Sequence, residues 1–73
     1  MNKENAVKIN ELVEQMFALA NEVLYIANNT YGEESRKKVQ RALGMAIAEI
    51  DLEVLEPIYK QFPELRPPGM VEV

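Results

Sequence analysis

The sequence predicts an all-α fold: an antiparallel helical hairpin with a short C-terminal third helix, two copies of which pair into a four-helix bundle. Three observations lead there. Apolar residues recur at steps of three and four along most of the 73 residues. One break, at Asn29-Thr30-Tyr31-Gly32-Glu33-Glu34-Ser35, interrupts that pattern before Pro57. Finally, both helices carry apolar residues on more of their circumference than one hairpin partner can cover.

The first helix is expected over about residues 4–29, where two stripes run side by side. One is Ile9, Leu12, Met16, Leu19, Val23 and Ile26, at steps of 3, 4, 3, 4 and 3; the other is Val13, Phe17, Ala20, Leu24, Ala27 and Tyr31. At 100° per residue they lie about a quarter-turn apart and together span roughly half the helix surface. The remaining face, with Glu4, Glu11, Glu14, Gln15, Asn21, Glu22 and Asn28, reads as solvated, interrupted only by Tyr25.

The break is short, and short connections join antiparallel neighbours. Thr30 with Glu33 fits a capping box. Alternatively, Gly32 ends the first helix in a left-handed conformation and Ser35 caps the next.

The second helix is expected over about residues 32–55. Val39, Leu43, Ala46, Ile47, Ile50, Val54 and Ile58 form the stripe that faces the first helix, while Met45, Ala48, Leu52, Leu55, Tyr59 and Phe62 lie on a separate side. Proline lacks the amide donor and crowds the preceding turn, so Pro57 ends or kinks this helix. Periodicity resumes in a short helix over about residues 57–62, with Pro57 near its first position. Residues 1–62 thus form one helical domain. Residues 63–73, with Pro63, Pro67 and Pro68, read as an extended tail whose Leu65 or Met70 folds back, or whose Met-Val-Glu-Val end joins a groove or a sheet edge.

Composition closes most routes to catalysis. The chain has no Cys, His or Trp and a net charge of −4. This excludes disulfides, thiolate metal sites, a cysteine nucleophile and the commonest acid/base side chain. Thr30 and Ser35 sit where caps are needed, with no base beside them by motif. No catalytic residue, cofactor or metal is therefore expected. The nearest enzymatic alternative is Mg²⁺-dependent hydrolysis at the carboxylate pairs Glu11/Glu14 and Glu49/Glu53. The basic run Arg36, Lys37, Lys38 and Arg41 holds four of the eight Lys and Arg residues. It is too sparse, in an acidic chain without interleaved aromatics, for nucleic-acid binding to lead. No apolar run approaches the ~20 residues that span a bilayer, and the first residues lack the apolar segment of an export signal, so a cytoplasmic location is expected.

The leading expectation is a non-enzymatic protein-interaction module, an adaptor, inhibitor or chaperone-like binder, that pairs with itself and with another protein. A core of this size without staples is weak, which favours self-association. Segregation of the basic run from Glu49, Asp51, Glu53 and Glu56 suits an antiparallel copy of the second helix. The expected interface is Arg41, Gly44, Met45, Ala48, Glu49, Leu52, Leu55 and Tyr59, centred near Met45 or near Leu52. Tyr25, Arg36, Lys37 and Lys38 are candidate contacts for another partner.

Overall fold

A computed structural model describes residues 1–67. Helix α1, Lys3–Thr30, starts at Asn2, whose side chain accepts a hydrogen bond from the Asn5 amide at 2.8 Å, and runs unbroken for 28 residues. Only Tyr31 and Gly32 separate it from α2, Glu33–Ile50. A connection this tight returns the chain alongside itself, and Gln40 Nε2 donates to Asn28 Oδ1 at 3.0 Å across the hairpin.

Neither capping arrangement expected at the turn forms. Thr30 is still helical, and its hydroxyl donates back to the Ile26 carbonyl at 2.6 Å. Asn29 Nδ2 donates to the Tyr25 carbonyl at 2.7 Å, so two carbonyls near the end of α1 have side-chain donors. Gly32 is the N-cap of α2 with φ −67° and ψ 167°, an extended rather than a left-handed conformation, and Ser35 lies within the helix. Glu33 and Glu34 occupy the first turn, where the helix dipole favours negative charge.

Helical structure continues past Ile50 as a π-helical segment, Asp51–Leu55, followed directly by α3, Glu56–Gln61. The wide turn is closed by the Glu56 amide donating to the Asp51 carbonyl. It immediately precedes Pro57. In a regular α-helix that ring would press on the Glu53 carbonyl, and a wider turn relieves the crowding. The insertion also changes which residues face inward. A regular helix would carry the Val39-Leu43-Ile47-Ile50 stripe on to Val54, but Val54 is 37% exposed and Leu55 only 3%. Beyond the wide turn, Ile58 and Tyr59 join Leu55 in the core.

The expected extended tail begins differently. Pro63–Leu65 is a 3₁₀ turn, with the Leu65 amide bonded to the Phe62 carbonyl at 3.0 Å; extended backbone starts only at Arg66. Leu65 packs on the core, so this part of the tail folds back. The terminal Met-Val-Glu-Val segment and Met70 lie outside the described residues.

The core sits at the open end of the hairpin. Ala6 and Val13 of α1 meet Leu55, Ile58 and Tyr59, with Ile9, Phe17, Ile50, Phe62 and Leu65 packed around them. Towards the turn only Ala27 is buried, and α2 has no buried residue. The radius of gyration, 14.5 Å, exceeds the ~11 Å of a compact chain of this length, as expected of an elongated hairpin whose core lies at one end.

Candidate interaction surface

The two stripes of α1 have different fates. Val13 and Ala27 of the second stripe are buried, and Phe17, Ala20 and Leu24 are half-buried; only Tyr31, the C-cap, is exposed. The first stripe packs inward at Ile9 alone. Leu12, Met16, Leu19, Val23 and Ile26 are each 46–61% exposed, at helical spacing along one side of α1. Leu12 to Ile26 spans about 21 Å at 1.5 Å per residue. This is a continuous row of large apolar side chains, the kind of feature that marks an interaction site. Beside Ile26, Asn21, Glu22 and Tyr25 line an open depression, so exposed Tyr25 adds an amphipathic ring at the end of the row.

The interface expected on the second helix is only partly available. Leu55 and Tyr59, expected at a dimer seam, are instead buried in the intrachain core, because the π-helical turn rotates them towards α1. Met45 and Leu52 remain outward, 64% and 59% exposed, with Arg41, Gly44, Ala48 and Glu49 exposed around them. A Cβ at Gly44 would meet nothing within 4 Å, so no contact within the chain requires glycine there. The basic run is largely engaged with its own helix. Lys37 pairs with Glu33 at 3.2 Å and Lys38 with Glu34 at 3.7 Å, while Arg36 is half-buried. Such exposed i,i+4 pairs add little stability but reduce the local positive field.

The polar groups that shape the open end were not foreseen from spacing. Arg66 donates to Glu56 through both terminal guanidinium nitrogens, Nη1 to Oε1 at 2.9 Å and Nη2 to Oε2 at 3.2 Å, and its guanidinium lies 5.0 Å from the centre of the Tyr59 ring. The Tyr59 hydroxyl donates to Asn10 Oδ1 at 2.9 Å. Lys3 pairs with Glu64 at 2.9 Å. Hydrogen bonding from Arg66 holds the Glu56 carboxyl below the ordinary glutamate range, and bonding from Lys3 does the same for Glu64. Burial pushes the Tyr59 hydroxyl up, with the Glu14 and Asp51 carboxylates adding to the shift and Arg66 opposing it. These groups clamp α3 and the 3₁₀ turn onto α1. They do not form a reactive pair in a cleft.

Glu11, Glu14, Glu49 and Glu53 are all exposed, and among the described residues no group of three or more acidic side chains gathers as a metal site. No helix among those residues is long and apolar enough to cross a membrane. The described residues thus form a small, all-helical domain without obvious catalytic or metal-binding features among them. Compared with known family models, curated proteins and solved structures, the chain matches none.

Proposed function

We propose that this chain is a non-enzymatic protein-interaction module that docks through the exposed side of α1. The carrying observation is the row Leu12, Met16, Leu19, Val23 and Ile26, which α2, α3 and the 3₁₀ turn leave exposed. Burying the remaining half of each such side chain contributes on the order of 1 kcal/mol, so the row offers several kcal/mol towards association. The rest of α1 argues for a protein partner over a lipid surface. Helices that lie on membranes are rich in Lys and Arg, whereas α1 has Glu4, Glu11, Glu14 and Glu22 against Lys3 and Lys8. A net charge of −4 points the same way, towards an apolar or amphipathic protein surface.

A photo-crosslinking amino acid placed at Leu19, in cells making the full chain, tests this reading. Discrete protein adducts at Leu19, and none at Lys37 on the charged face of α2, are expected. Failure of Leu19 to give any protein adduct while the chain stays folded, or adducts with lipid alone, would refute it.

A further inference from the structure

We infer that α2 carries a separate docking surface whose occupant is the α2 of a second copy of this chain, lying antiparallel on its outer face with a two-fold axis through Met45. The juxtaposition behind it is one of charge. Arg41 and Glu49 are both exposed, and among the described residues neither makes an ion pair. Eight positions apart on one helix, they are separated by about 12 Å and cannot reach each other. The neighbouring lysines differ, because Lys37 and Lys38 are held by Glu33 and Glu34. A reversed second copy centred on Met45 brings Arg41 level with Glu49 of the second copy, and the two-fold repeats the pair. Two unpartnered charges of opposite sign thus meet twice in one contact. Helical spacing is symmetric about the centre of any seam, but charge is not: a parallel copy would oppose Arg41 to Arg41 and Glu49 to Glu49.

Burial selects the register. Two centres fit the sequence, Met45 and Leu52. A seam centred on Leu52 would need Leu55 and Tyr59, which are buried in the core of the chain, and Glu56, which is buried and held by Arg66. A seam centred on Met45 needs only exposed residues. Met45, 64% exposed, meets its own copy, and Ala42 lies level with Ala48, where small side chains let the two helices approach closely enough for Arg41 to span the seam. Lys38 lies level with Leu52, 59% exposed, which its aliphatic stem covers. Lys37 and Gly44 fall about 80° and about 100° from Met45 around the helix, outside the seam. Pairing through the outer face of α2 leaves the exposed row of each α1 uncovered. It is therefore independent of docking through α1, and it presents that row twice in one assembly.

Two measurements on the full chain test the pairing. One helix-on-helix seam is a small interface, so a dissociation constant on the order of 100 μM is expected. Sedimentation equilibrium from about 20 μM to about 1 mM should then show the mean mass rising from near 8.3 kDa towards twice that value. Arg41→Glu and Glu49→Arg each set like charges level twice, so each is expected to weaken association at least about tenfold with far-UV circular dichroism unchanged. The double variant Arg41→Glu/Glu49→Arg restores opposite charges and is expected to recover the native constant. The sequence has no Cys, so single cysteines can be placed without a competing thiol. Met45→Cys lies on the two-fold axis and is expected to oxidise to a covalent dimer about tenfold faster than Leu19→Cys on α1. A single-chain mass at about 1 mM, association indifferent to either charge reversal, failure of the double variant to recover it, or faster linkage at position 19 overturns the inference.

Discussion

Neighbouring substitutions at Val54 and Leu55 separate the π-helical reading of residues 51–55 from a regular helix. Leu55→Ala removes three carbons from a side chain that is 3% exposed. At ~0.8 kcal/mol per buried methylene the transfer loss is about 2.4 kcal/mol, and the cavity left behind brings the cost to roughly 3–4 kcal/mol. Val54→Ala removes two carbons from a side chain 37% exposed, so the transfer loss is about 1 kcal/mol. Alanine recovers about half of that through its higher helix propensity. The difference between the variants is therefore expected to be about 2–4 kcal/mol, with Leu55→Ala the more damaging. Urea titration followed by far-UV circular dichroism at fixed chain concentration measures it. A small domain has limited stability to lose, and sucrose can raise both variants alike if Leu55→Ala begins unfolded. Equal costs, or a larger cost at Val54, would refute the account, because a regular helix would bury Val54 and turn Leu55 outward.

Two further perturbations follow from features described above. Gly44→Ala is expected to stabilise the chain by about 0.5–1 kcal/mol in the same titration, since the added methyl meets open space and relieves a helix-interior glycine. A loss of stability would mean that α2 makes a close contact at this position after all. The Glu56 and Glu64 carboxyls are held below their ordinary range, so their ion pairs stabilise the fold above the unfolded pKa of ~4.3 and lose that contribution as pH falls through the lower folded values. The urea midpoint should therefore fall between about pH 7 and about pH 3, and Arg66→Met should lower the neutral-pH midpoint and flatten that fall. The Glu56 part of the account fails if Arg66→Met keeps the native slope.

Much of the secondary structure was legible because α1 and most of α2 have strong 3.6-residue periodicity and one short break between them. The failures have specific physical causes. Pro57 was expected to end or kink the second helix; one widened turn absorbed it, and the same turn moved Leu55 and Tyr59 from the expected interface into the core. Arg66 has the extended backbone expected of the tail, but its bidentate pairing with Glu56 across ten positions has no periodic signature. The exposed row on α1 was visible as a stripe. Spacing alone did not reveal which of the two stripes the hairpin would bury. The buried one contains Ala20 and Ala27, and small side chains let α2 lie close.

The location of the core also bears on how the chain folds. Its defining contacts are among its least local: Tyr59 reaches Asn10 across 49 positions, and Gln61 Nε2 reaches the Met1 carbonyl across 60. The hairpin can zip from Tyr31 and Gly32 through near neighbours at little entropic cost, yet apart from Ala27 it only half-buries the side chains it brings together. Cooperative stability arrives only when a loop of nearly the whole chain closes, and that closure carries a larger entropy cost than any contact near the turn. For a helical protein of this size, hydrogen exchange should therefore show an inverted order. Amides around Ala6, Val13, Ile58 and Tyr59, near the two ends of the described chain, should be the last to exchange, and those beside the tight turn should open first.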